Sequence, residues 1–105
     1  MTWDQIYQAI ANAAGAKAHI VHIPSDFIIK CDSSKRGTLL GDKSVSVIFD
    51  NSKIKGFVPA YKATIPFAEG IKKTVEWFEE DQGRMKIIDQ NNDLMDVIIS
   101  KFESI

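Results

Sequence analysis

Apolar residues near the start of the chain recur at helical spacing: Trp3, Ile6, Tyr7, Ile10 and Ala14. Thr2 and Gln5 stand ahead of that stripe at capping-box spacing, where the hydroxyl satisfies an orphan amide and Gln5 reaches back. Gly15 supplies a left-handed stop, so a helix ends there. The pattern changes at 18–23, a short apolar and β-branched run closed by Pro24, which predicts a strand. Ser25 and Asp26 can cap a short helix carrying Phe27 and Ile28, and 31–41 reads as a polar loop.

Strict alternation returns at 44–49, where Ser44, Ser46 and Ile48 interleave with Val45, Val47 and Phe49, and a second strand is expected. Asp50 or Ser52 then caps a brief helix over 53–57, with Pro59 beyond its end. The clearest helix spans 65–82. Pro66 suits its first turn, Phe67, Ile71, Val75 and Phe78 mark one face, and Gly83 ends it. Leu94, Val97, Ile98 and Phe102 form the stripe of a last helix. The expected fold class is therefore α/β: a helix-rich α+β lobe with about two short strands. Two lone strands rarely make a stable sheet, so a third strand from elsewhere is expected to complete it.

Composition narrows the function classes. The 105 residues fit one domain, 1–105, and 13 basic against 14 acidic side chains leave a net charge of −1. That balance argues against a nucleic-acid surface and a polybasic membrane anchor. One cysteine, Cys31, excludes an intramolecular disulfide and a multi-cysteine zinc site. No apolar run reaches the length of a membrane span, and MTWDQIYQ has no signal-peptide core, so a cytoplasmic protein is expected.

Candidate chemistry is sparse. His19 and His22 lie three apart, and on a strand they would point to opposite faces, which disfavours a shared metal with Cys31. Residues 89–93 begin like a calcium loop, but Leu94 holds the glycine position and Ser100 the final ligand position. They read instead as a polar connection capping the last helix. Glu76, Glu79, Glu80 and Asp81 crowd a helix end that prefers positive charge, and read as a solvated face. The six glycines never form G-x-G-x-x-G, and there is no G-x-S-x-G or H-E-x-x-H. Tyr7 and Tyr61 are followed four residues on by Ala11 and Ile65, so no Tyr-x-x-x-Lys pair exists. The chain by itself assembles no nucleophile, base and oxyanion site, and no catalytic residue is assigned.

One run of motifs points further. Phe49-Asp50-Asn51-Ser52-Lys53-Ile54-Lys55, then Phe57-Val58-Pro59, then Ile65-Pro66-Phe67-Ala68-Glu69-Gly70-Ile71 and onward to Thr74, Trp77 and Phe78, follow one another in order. This resembles the C-terminal, substrate-binding region of the NAD-dependent epimerase/dehydratase family of extended short-chain dehydrogenases/reductases. The opening Thr2-Trp3-Asp4-Gln5-Ile6-Tyr7, the Ala14-Gly15 stop and His22-Ile23-Pro24 fit the same region, so the resemblance covers nearly the whole chain. In physical terms Asp50 is a cap, Pro59 a rigid turn, and Gly70 a position for close packing of the long helix.

The resemblance implies a substrate-binding lobe for a nucleotide-linked sugar or similar small molecule. The parent enzyme transfers hydride with NAD or NADP, while the cofactor site and the Tyr-x-x-x-Lys pair lie in a Rossmann half. The chain is expected to begin inside the lobe, after that half, and to bind no cofactor alone. Family members carry Arg-x-Gly-Asp before the capped helix; here Leu39-Leu40-Gly41-Asp42 stands in that place. Arg36 is near enough to substitute, because guanidinium pairs well with phosphate. Arg36, Asp42 and Lys53 are thus the substrate-side candidates. The alternative is a non-catalytic binding or self-association module, partnered by a Rossmann domain or by its own copies. An unrelated small regulatory domain would lack the Asp50-capped helix ahead of the Pro66 helix.

Overall fold

Thr2 and Gln5 close the capping box in a computed structural model that describes residues 1–105. Thr2 Oγ1 accepts from the Gln5 amide at 3.2 Å, and Gln5 Oε1 accepts from the Thr2 amide at 2.9 Å. Helix α1 (Trp3–Ala13) follows. It ends in a Schellman motif: the Ala16 amide donates to Ala11 C=O at 2.8 Å and the Gly15 amide to Asn12 C=O at 3.2 Å. Gly15 has φ 65°, the only positive φ in the chain, where a Cβ would be strained.

The remaining helices are α2 (Ser25–Cys31), α3 (Ser52–Phe57), α4 (Phe67–Glu79) and α5 (Asp89–Glu103). Short 3-10 turns cover Ser33–Lys35 and Gln82–Arg84, and a π-helical turn covers Gly37–Asp42. The α/β expectation is overturned: 62% of the residues are helical and none lies in a strand. Both expected strands, 18–23 and 44–49, lack regular structure. A helix closes its hydrogen bonds within four residues, whereas a strand needs a second strand alongside. The 44–49 stretch has no backbone–backbone hydrogen bond to the rest of the chain.

Several boundaries also move. The polar 31–41 segment is helical rather than loop, because Asp32 caps the turn after α2 through the Ser34 amide at 3.0 Å. The expected 65–82 helix begins two residues later and stops at Glu79. Pro66 C=O accepts from the Glu69 and Gly70 amides, both at 3.0 Å, so proline sits just outside the first turn. Gly83 lies inside the following 3-10 turn, not at the end of α4. A Cβ added to Gly70 would meet only Ile65 Cγ2 at 3.7 Å, an ordinary contact, so close packing does not demand glycine there. Asp89-Gln90-Asn91-Asn92-Asp93 form the first turns of α5 instead of a connection before it.

Two compact units divide the chain. In the first (Met1–Ile20 and Ile54–Ile87), α1 packs on α4 through half-buried Ile6, Ala9, Ile10, Ala13, Ile71 and Val75. In the second (Val21–Lys53 and Ile88–Ile105), α2 packs on α5. Ile29 and Ile98, each 7% exposed, are the only buried residues in the protein. Phe27 meets Phe102 edge to face at 5.2 Å beside them. On α5 the buried stripe runs through Leu94, Ile98, Ile99 and Phe102, while Val97 stays exposed. No helix is long and apolar enough to cross a membrane.

Candidate functional site

Arg36, Asp42 and Lys53 all fall in the second unit and all are exposed. Arg36 joins the 3-10 turn to the π-helical turn, and Asp42 closes that π-helical turn. The turn is wide because the Lys43 amide reaches back five residues to Thr38 C=O, at 3.0 Å. Asp42 is held by its neighbour, with Lys43 Nζ 3.2 Å from Oδ2. Such an exposed pair contributes little to stability. Lys53 stands at the start of α3. No hydrogen bond or ion pair joins the three candidates, so the structure places them in one unit without assembling them.

Asp50, two residues ahead of α3, is more tightly organised. Its Oδ1 accepts from the Ser52 hydroxyl at 2.6 Å and the Ser52 amide at 2.9 Å. Those bonds, the hydroxyl first, hold its carboxyl below the usual carboxylate range. Asp32 repeats the device on Ser34, with the hydroxyl at 2.7 Å, and its carboxyl is lowered for the same reason. Asp81 takes the Gly83 amide at 2.8 Å. These are helix-start devices, and the lowered pKa of Asp32 and Asp50 reports capping rather than chemistry. The Asp-x-Ser and Asp-x-Gly spacing was the available signal for Asp32 and Asp81.

The acidic end of α4 has an answer that sequence reading missed. Arg84 Nη1 donates to Trp77 C=O, an orphan acceptor in the last turn. Its guanidinium lies 4.1 Å from the Trp77 ring centroid. The same group approaches Glu80 at 3.6 Å and Asp81 at 3.8 Å. The cluster is therefore partly neutralised by one cation that also caps the helix. A second unforeseen feature is an open cleft of about 580 Å³ within the first unit, where Gln5, Gln8, Asn12 and Lys72 share the lining with Met1 and three alanines. Gln8 Nε2 donates to Asn12 Oδ1 at 2.9 Å, and Lys72 pairs with Glu69 at 3.1 Å. Amides at 5, 8 and 12 follow helical spacing, a polar stripe opposite in kind to the Ile6–Ile10 face. They offer hydrogen bonds to a polar ligand but no activated group.

A dinucleotide does not fit these residues. Pyrophosphate binding needs converging backbone amides at a glycine-rich helix start. The only left-handed glycine, Gly15, lies at a helix end, and the start of α4 is Pro66-Phe67. No hydride step is assigned to this chain. No three His, Cys, Asp or Glu side chains converge on a common metal position. Cys31 is a free, half-buried thiol. Comparison of the chain with protein-family models, with curated proteins and with solved structures finds no match.

Proposed function

We propose that this chain is the substrate-side lobe of an NAD(P)-dependent epimerase, dehydratase or reductase acting on a nucleotide-linked sugar or related small molecule. The observation that carries this reading is the order of local devices along the chain. Asp50 caps α3, the Val58–Tyr61 segment turns around Pro59 with the Tyr61 amide on Val58 C=O at 2.9 Å, and Pro66 leads α4. Trp77 and Phe78 stand in the last turn of that helix, in the order the resemblance implies. The nicotinamide cofactor, which supplies and recovers the hydride, and the catalytic pair belong to a region other than these residues.

Within this reading Arg36 takes the diphosphate, in place of the arginine that Leu39 replaces. Its guanidinium is exposed and engaged by no carboxylate. Lys53 adds a second positive charge at the start of α3, and Asp42 offers carboxylate oxygens to sugar hydroxyls. The test is a titration with uridine diphosphate glucose followed by amide NMR shifts. Changes centred on Arg36, Asp42 and Lys53, with binding weakened about tenfold by Arg36→Ala, support the reading. Shifts confined to Gln8, Asn12 and Lys72 would move the ligand to the α1–α4 cleft, and no shifts at all would remove the assignment.

A further inference from the structure

The segment 44–49, Ser-Val-Ser-Val-Ile-Phe, is the most uncovered apolar stretch of the protein. Val45, Val47, Ile48 and Phe49 are 68, 67, 98 and 87% exposed. From Ser44 to Asp50 no backbone N–H or C=O has a backbone partner. The segment holds no charge, no proline and no glycine, and β-branched and aromatic residues dominate it. That composition favours an extended ladder with another chain. A charged or proline residue inside the run would have blocked such pairing, and none is present.

We infer that 44–49 is a self-pairing seam, through which two copies of this chain join as antiparallel strands around a two-fold axis at Val47. Orientation follows from the charges at its ends. Parallel copies would stack Lys43 on Lys43 and Asp50 on Asp50, whereas antiparallel copies bring the Lys43 end of one beside the Asp50 end of the other. Register follows from side-chain parity. Centred on Val47, the pairing sets Val45 opposite Phe49 and Val47 opposite its own copy, so six apolar side chains share one face. Ser46 opposite Ile48 and Ser44 opposite Asp50 occupy the other face. A slip of one residue in either direction sets Phe49 opposite a serine.

The exposed area leaves room for this contact. The chain exposes 9038 Å². Two separate folded units of half its mass each would expose about 7,100 Å² together. The surplus exceeds the roughly 800 Å² that one partner contributes to a standard interface. A two-stranded seam is marginal without further packing, so dimerisation is weak, with half-saturation on the order of 100 µM. This inference goes beyond the substrate-lobe reading and does not depend on it; a failed nucleotide-sugar titration leaves the seam standing.

Sedimentation velocity over a concentration series tests it on the full chain. The wild type should pass from monomer to dimer. Val47→Lys and Val47→Glu should each be monomeric, because each sets like charges face to face on the axis. An equimolar mixture of V47K and V47E should recover a heterodimer, since lysine then faces glutamate. Residue 47 is exposed, and circular dichroism of each variant should match the wild type. A wild type that stays monomeric up to about ten times the half-saturation concentration overturns the seam. So does a V47K that dimerises like the wild type, or a mixture that remains monomeric.

Discussion

Residues 2–16 and residues 43–51 both carry apolar side chains at a regular period, yet only the first forms a regular element. In the first, every unusual residue answers to a neighbour within five positions: Thr2 with Gln5, Gly15 with Asn12, and Ala16 with Ala11. In the second, Val45, Val47 and Phe49 alternate as a strand requires, but the hydrogen bonds they prepare have no taker in the chain. Periodicity is a statement about which side chains share a face. It becomes structure only where the backbone can also be satisfied.

The sharpest way to separate covered from uncovered apolar residues is Ile98→Ala. Ile98 is one of two buried side chains, and its truncation should cost about 2–4 kcal/mol in urea unfolding followed by circular dichroism. A loss below about 1 kcal/mol would mean that the α2–α5 contact does not hold its unit together. Next come the local devices of α1. Gly15→Ala forces a Cβ into the left-handed region and should cost about 1–2 kcal/mol, whereas Thr2→Ala loses one cap bond, about 1 kcal/mol. If both are silent, α1 owes its form to packing on α4 and the contrast with 43–51 weakens.

Arg84→Ala should have a smaller effect, about 0.5–1 kcal/mol, because its partners are exposed and only one bond goes to a helix carbonyl. Faster amide exchange in the last turn of α4 is the specific sign. The Asp caps give a pH signature. The folded-state pKa values of Asp50 and Asp32 lie below their unfolded values, so their capping contribution is whole above the ordinary carboxylate range. It fades as pH falls through the lowered values. The Ser34 and Ser52 amide resonances should therefore move on acidification together with their own aspartates, and below the pH at which free aspartate titrates. Smallest of all, Val47→Lys should change monomer stability by less than about 0.5 kcal/mol, since nothing in the chain covers that side chain.

Legibility followed the range of the interactions. Capping box, Gly15 stop and Asp50 cap are each written within a few residues, and each appears where the pattern places it. The strands fail because 18–23 and 44–49 depend on partners that local pattern does not name. At the candidate site, Arg36, Asp42 and Lys53 were chosen singly for their chemistry, and the fold leaves them exposed and unjoined. Arg84 was missed because its role needs the end of α4 to fall at Glu79, several residues before Gly83. The Gln5, Gln8, Asn12 and Lys72 cleft needed α1 beside α4.

What the amino-acid order settled alone is the presence of the five α-helices and the local devices that bound α1, because those hydrogen bonds close within three to five residues. The partial burial of Ile99 in place of Val97, the exposure of 44–49 and the cation that answers the acidic end of α4 were decided only in three dimensions. Burial and ladder pairing join residues that are distant along the chain. Their outcome depends on which surfaces meet, and a local period says only which surfaces are available.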